Sequence, residues 1–345
     1  MEARQVDALP TEPGWQFEPK WDGFRCLAYR SGGSVDLRAK SGKPLGRYFP
    51  EVVERLRVLG PDRFVLDGEL VIPTGGVLSF DALQNRLHPA ESRIRKLAGE
   101  TPASLILFDC LLTPEGRALP PEPLTLRRAE LERFFADAGG PPGLALTPYT
   151  RDRTVAQGWL DRAGGGAVDG VVAKRLDGPY LPGERAMLKV KRLRTADCVV
   201  GGFRYAQGSR EVGSLLLGLY NAQGLLDHVG FTSGLAAEER PALTRRLEAL
   251  VEPPGFTGKA PGGPSRWSTE RSGDWEPLRP ELVVEVRYDH VTGDRFRHGT
   301  KLLRWRPDKA PRQCGFEQLA PAAAAEGPVA DLTRSLQNAE NASPR

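Results

Sequence analysis

Cysteine is scarce and scattered: Cys26, Cys110, Cys198 and Cys314 form no C-x-x-C pair. That excludes a zinc ribbon, a thioredoxin-like motif and a disulfide scaffold, and it predicts a reducing, intracellular compartment. No apolar run approaches the roughly 18 residues that cross a bilayer, and the opening residues Met1, Glu2, Ala3 and Arg4 lack the apolar stretch of a secretory signal. The reading is therefore a soluble cytoplasmic protein with no membrane partner. The four histidines, His88, His228, His290 and His298, show no ligand spacing and no local pairing with a serine or cysteine. Only His298, inside a basic cluster, is a candidate phosphate contact. The glycine-containing run 201–208 matches neither a Walker loop nor a dinucleotide fingerprint. There are no internal repeats. Lysine is also rare, with 10 against 38 arginines.

The 345 residues suggest two domains, and 40% hydrophobic with 27% charged residues is ordinary globular composition. The net charge of +4 hides an asymmetry. Between Arg287 and Arg312 eight basic residues face three acids, a net of +5 in one short segment. A second cluster, Arg185, Lys189, Lys191, Arg192 and Arg194, contains no acid. Such clusters suit a polyanion, either nucleotide phosphates or a nucleic-acid backbone, although a solvated charged face would carry the same letters.

Patterning predicts alternating strands and helices to about residue 193: strands over 15–19, 23–29, 35–39, 64–72, 105–112, 170–175 and 187–193, and helices over 51–59 and 126–138, the second capped by Thr125. A breaker at 164–166 precedes the last two strands. Beyond Ala196 short strands follow at 198–205, 214–220, 225–231, 282–288 and 301–306, with one helix over 236–251 and an irregular Pro/Gly loop over 253–264. Short strands with one helix suit an OB barrel. Composition predicts a disordered tail over 317–345.

The segment Glu18-Pro19-Lys20-Trp21-Asp22-Gly23-Phe24-Arg25 lies between two expected strands. A lysine in a turn beside an aspartate and an arginine is a plausible amine nucleophile, and neighbouring cations with partial burial would favour the neutral form that attacks a phosphate. A surface hairpin with a solvated lysine is the plain alternative. In a chain that otherwise favours arginine, Lys20 has a chemical reason to be lysine, because a guanidinium does not give up its proton. Lys174, Lys189 and Lys191 would approach an α-phosphate as point charges, or the last two would protect an edge strand.

This segment matches the K-x-D-G-x-R signature of covalent nucleotidyltransferases, and further elements follow in that superfamily's order: Leu66-Asp67-Gly68-Glu69-Leu70, Leu107-Phe108-Asp109, Asp169-Gly170-Val171-Val172-Ala173-Lys174, Met187-Leu188-Lys189-Val190-Lys191 and Arg306-Pro307-Asp308-Lys309. The whole resembles ATP-dependent DNA ligases of the compact bacterial C type and the ligase domain of bacterial end-joining enzymes. The resemblance implies an α+β fold: a nucleotidyltransferase domain of ATP-grasp-like antiparallel sheets with helices at 1–193, then an OB-fold domain at 194–316. It implies ATP with Mg2+ or Mn2+ as cofactors and nicked duplex DNA as partner, handled by a monomer associated with the nucleoid, with room for assisting repair proteins and without the N-terminal DNA-binding domain of larger ligases.

The same resemblance assigns roles. Lys20 is the nucleophile and Asp22 orients it; Glu18 meets the adenine amine, Phe108 stacks on the base, and Glu69 with Arg25 holds the ribose. Lys174, Lys189 and Lys191 line the phosphates, and Arg306, Asp308 and Lys309 act on the departing pyrophosphate. Glu69 and Asp169 hold the metal, with Asp169 one methylene shorter than the usual glutamate, so that it contacts the ion through water or stays structural. Lys40 stands where ligases usually carry an arginine for the nick phosphate or nucleotide. Arg295, Arg297 and Arg304 contact DNA, and a hinge falls near 193–196. Three readings stay open beside this one: an RNA ligase, a GTP-charged mRNA-capping guanylyltransferase, and a non-catalytic OB-type DNA-binding protein.

Overall fold

The computed structural model describes residues 1–75, 77–164, 168–262, 274–319 and 327–341. The chain divides into two compact units, Met1–Arg192 with Pro321–Arg345, and Leu193–Ala320. The first contains β1 (Ala3–Gln5), β2 (Trp15–Trp21), β3 (Phe24–Ser31), β4 (Ser34–Ala39), α1 (Pro50–Arg57), β5 (Arg63–Val71), the short pair β6 (Pro73–Thr74) and β7 (Val77–Leu78), α2 (Phe80–Arg86), α3 (Glu91–Glu100), β8 (Ser104–Leu112), α4 (Leu124–Asp137), β9 (Leu144–Leu146), α5 (Arg153–Arg162), β10 (Val168–Arg175) and β11 (Met187–Lys191).

Two sheets organise this unit, one in the order β1-β11-β10-β2 and one in the order β4-β3-β5-β8-β9. Both are antiparallel except at the edges, where β1 on β11 and β9 on β8 run parallel. Period-two alternation sets the faces. On β2, Phe17 and Trp21 enter an apolar cluster with Val171 and Ala173 of β10, Val190 of β11 and Ile106 of β8. Glu18 and Lys20 therefore face the other way. A second cluster packs α1 and α4, through Val52, Leu56, Leu131 and Phe134, against Leu66, Leu70 and Leu107 of the five-stranded sheet. Side-chain caps start two helices: Ser79 accepts from the Ala82 N–H of α2, and Asp152 from the Thr154 N–H of α5.

The second unit runs β12 (Arg194–Tyr205), β13 (Val212–Tyr220), β14 (Leu226–Thr232), α6 (Arg240–Glu248), β15 (Glu276–Pro277), β16 (Val283–Tyr288), β17 (Val291–Thr292), β18 (Arg295–Phe296) and β19 (Lys301–Trp305). Its sheet has the order β14-β13-β12-β16-β19, with β15 also on β12. Thr232 at the end of β14 bridges to Thr300 just before β19. That contact curls the sheet toward closure around Phe203, Leu215, Leu217, Val229, Val284 and Val286, as an OB barrel requires.

Several expectations need correction. The tail expected to be disordered over 317–345 contains ordered elements: 316–319 forms a 3-10 turn, and Pro328–Asn341 forms a helix, α7, that belongs to the first unit. Val329 and Leu336 are buried there beside Phe17, Trp21 and Ile106. The helix over 124–137 begins at Leu124 with Pro123 at its N-cap, so Thr125 is inside it rather than capping it. Of the expected hinge, Arg194, Thr195 and Ala196 already belong to β12, paired with Tyr288, Arg287 and Val286. The breaker at 164–166 and the loop over 253–264 fall partly outside the described residues. The elements β1, α2, α3, β9 and α5 lie outside the expected set.

Docking of α7 predicts that Leu336→Ala lowers stability by about 2–3 kcal/mol in chemical denaturation. Unchanged stability would show that the helix does not seat in the core.

Candidate active site

Eight of the expected nucleotide-site residues, Glu18, Lys20, Arg25, Lys40, Glu69, Phe108, Lys174 and Lys189, line one cavity of about 470 Å³ in the first unit. Both sheets supply its walls. Close backbone approach requires glycine at two places: a Cβ on Gly23 would lie 2.2 Å from the Leu70 carbonyl oxygen, and one on Gly170 would lie 2.0 Å from that of Val190. These glycines let β5 and β11 press against the strands that carry the chemistry.

Lys20 Nζ lies 2.9 Å from Asp169 Oδ1 and 3.0 Å from Oδ2. Strand parity would point Asp169 away from the cavity with Val171 and Ala173. The pairing of β2 with β10 slips there, Trp21 opposing Val168 and Lys20 opposing Gly170, so Asp169 is the extra residue of a bulge. A bulge re-aims a side chain, and here it brings the carboxylate to the lysine. Lys191, opposite Gly170 on β11, reaches the same carboxylate at 3.2 Å. Burial, then Lys20 and Lys191, push the Lys189 ammonium below its usual range. Three lysines thus crowd around one carboxylate. The surplus positive charge suits a polyanionic ligand.

The opposite end of the cavity is built differently. Lys174 is buried, with Nζ 2.7 Å from Glu18 Oε2, donating to the Phe108 carbonyl at 3.3 Å and lying 4.8 Å from the Phe108 ring centroid. Gln16 Nε2 donates to the other Glu18 oxygen at 2.8 Å. Lys174, expected to approach an α-phosphate, has its ammonium engaged at the Glu18–Phe108 end, whereas Lys20 and Lys191 meet Asp169. Arg25 is clamped by Asp67, Nε to Oδ1 at 3.0 Å and Nη2 to Oδ2 at 2.6 Å, with Tyr180 Oη accepting at 3.1 Å and the Met1 carbonyl accepting as well. Asp22 is buried, and its charge acts on Glu69.

Burial pushes the Glu69 carboxyl up to about 8, with Lys20 and Arg25 pulling it down. Glu69 and Asp169 therefore both sense Lys20. Glu69, on losing its proton as the ion binds, and Asp169 would supply two hard oxygen donors that fit Mg2+ or Mn2+ held with several waters. Among the described residues no three of His, Cys, Asp and Glu gather as a ligand cage, so water and phosphate oxygens would complete the coordination.

Sequence reasoning missed Glu2, Arg4 and Gln5, which also line the cavity, as does Arg185 of the second basic cluster. Lys40 is ion-paired to Glu2 at 2.9 Å. The second unit holds the remaining expected residues. Arg306 and Lys309 both contact Asp197, at 2.9 and 2.7 Å. Arg304 pairs with Glu285 at 2.6 Å, and Arg295 donates to Nδ1 of buried His228 at 3.1 Å. Burial, then Arg295, push His228 down to about 3, so it stays neutral as that acceptor. Arg297 donates its backbone N–H to the His290 carbonyl. His298, the candidate phosphate contact, lies 3.1 Å from Asp289.

Residues 4–191 match the model of the ATP dependent DNA ligase domain, and 208–309 that of the ATP dependent DNA ligase C terminal region. The chain belongs to the ATP-dependent DNA ligases. It is similar to DNA ligase C2 of Mycolicibacterium smegmatis, 45% identical over 92% of this chain and 93% of that one. It is 32% identical to the multifunctional non-homologous end joining DNA repair protein LigD of Mycobacterium tuberculosis, over 87% of this chain and 37% of that protein. A solved structure from a study of Lig E DNA ligases shares the fold, with a TM-score of 0.56 at 16% identity, covering 89% of this chain and all of that one. The ligase fold is thus α+β, a nucleotidyltransferase domain followed by an OB domain. No described helix is long and apolar enough to cross a membrane.

A raised carboxyl binds its proton more tightly folded than unfolded. Its contribution to stability is present below about 4.5 and is lost as pH rises through about 8. Glu69→Gln in the ligase should therefore match the parent at pH 4 and exceed it at pH 9 in urea denaturation. Equal stability at both pH values would contradict the raised Glu69 carboxyl.

Proposed function

We propose that this ligase seals nicks bearing a 5′-phosphate and a 3′-hydroxyl through a covalent Lys20–AMP intermediate, and that it does so in DNA repair. The carrying observation is the position of Lys20, in one cavity with Phe108 and Glu18 at one end and Lys189 at the other. Lys20 Nζ gives up a proton, for which Asp169 is the acceptor in contact with it, and attacks the α-phosphorus of ATP. A P–N bond forms, the bond to the β-phosphate oxygen breaks, and pyrophosphate leaves. AMP then passes from Lys20 to the 5′-phosphate of the nick, and the 3′-hydroxyl displaces it to close the strand.

Positioning and charge neutralisation supply most of the catalysis in such transfers. Lys189 and Lys191 would neutralise the α-phosphate. Glu18, with lone pairs left after Lys174 and Gln16, would accept the adenine amine while Phe108 stacks on the ring. Arg25, locked by Asp67 and Tyr180, would present a fixed guanidinium to the ribose with Glu69 beside it. Arg306, Asp308 and Lys309 would act from the OB domain on the pyrophosphate. A divalent ion bound at Glu69 and Asp169 would shield the phosphate charge. A repair role is supported by the likeness to LigD, and a DNA substrate implies work on the nucleoid, by a monomer in the simplest case.

Incubation with α-labelled ATP should label the protein, and a nicked duplex should then remove the label as a sealed strand forms. Lys20→Arg should abolish both, since its guanidinium keeps its proton. Labelling by GTP instead, or sealing by Lys20→Arg, would overturn the proposal. Replacing Arg295, Arg297 and Arg304 together by Ala should flatten the log–log salt dependence of nick binding by up to about 3 and leave Lys20 labelling intact. An unchanged slope would remove them from the DNA footprint.

A further inference from the structure

The two cations that the proposed reaction places on pyrophosphate are held, within the second unit, by one carboxylate. Asp197, on β12, accepts from Arg306 Nη1 with Oδ1 at 2.9 Å and from Lys309 Nζ with Oδ2 at 2.7 Å. Asp308 takes the other edge of the same guanidinium, Nε at 3.0 Å and Nη2 at 2.9 Å. The Asp197 backbone is fixed independently: its N–H donates to Gln318 Oε1 at 2.9 Å and its carbonyl accepts from Gln318 Nε2 at 3.1 Å. The Lys309 N–H closes a tight turn on the Arg306 carbonyl, which brings the two cationic side chains to the same aspartate.

Donor arithmetic then matters. A guanidinium has five N–H groups and an ammonium three. Among the described residues Arg306 commits three to the two aspartates and Lys309 commits one, so each keeps two on a stem that is already oriented. A long flexible cation loses much rotamer freedom when it grips an anion. One whose stem is already fixed loses less.

We propose that Asp197 is a positioning residue that presents Arg306 and Lys309 as a ready receptor for the pyrophosphate leaving Lys20. The proposal rests on the ligase reading above. Asp197 touches neither ATP nor the reacting phosphorus; it acts through the two cations. Its opposite would be an aspartate that merely competes with the phosphates for those cations, and the two differ in sign.

The test measures charging of Lys20 by ATP separately from sealing of a nick that already carries AMP on its 5′-phosphate. Asp197→Asn keeps size and backbone contacts but removes the charge that both cations share. Expected is a fall of about ten- to a hundredfold in the rate of charging, with sealing of the pre-adenylylated nick within about twofold and partial recovery in Asp197→Glu. Combined with Arg306→Ala it should add little to Arg306→Ala alone, as partners in one unit do. Charging by Asp197→Asn as fast as the parent or faster, an equal loss in both steps, or full additivity with Arg306→Ala would overturn the inference. Failure of the unaltered protein to charge Lys20 would instead sink the ligase reading on which it stands.

Discussion

The contact between Lys20 and Asp169 depends on a slip of one residue in the pairing of β2 with β10, and much of the site follows from it. Without the bulge, Asp169 would lie on the core face with Val171 and Ala173, adding a charge to an apolar cluster and leaving Lys20 without its partner. With it, one carboxylate gathers Lys20 and Lys191, and Lys189 is crowded beside them. The site is therefore charged by its backbone: a glycine at 170 admits β11, β11 brings Lys189 and Lys191 beside Lys20, and the bulge brings the aspartate that pairs with Lys20 and Lys191.

The two ends of the cavity solve opposite electrostatic problems. At the end of Lys20, Lys189 and Lys191, positive charge exceeds negative and suits an anion. At the other end, buried Lys174 and Glu18 neutralise each other beside the Phe108 ring. Burying that pair is costly, and removing one partner costs more than the pair is worth, so it is better understood as fixing the position of Glu18 than as adding stability. On the cavity wall, Asp67 and Tyr180 hold Arg25 in one orientation, and Tyr180 in turn donates to Asp67.

Much of this was legible in the sequence, because the chemistry sits in short contiguous segments. Glu18 and Lys20 alternate with Phe17 and Trp21, so period two alone places them on one face, and the six motif elements appear in order. What was illegible is long-range. Nothing near Asp169 announces a bulge, nothing near Lys174 says that it folds toward Glu18, and Asp197 meets Arg306 across 109 residues. Tyr180 reaches Asp67 across 113. The last helix is a different failure. Val329, Leu332 and Leu336 recur at helical spacing, but the Ala- and Pro-rich residues before them made the whole tail look structureless.

The central claim is that Lys20, and no other group, carries the nucleotide. Peptide mapping by mass spectrometry of the protein after exposure to ATP and Mg2+, kept at neutral pH or above to preserve a phosphoramidate, tests it most directly. The account predicts AMP on the peptide containing Lys20, lost on mild acid treatment. AMP on any other residue, or an unmodified Lys20 in a preparation that seals nicks, would contradict it.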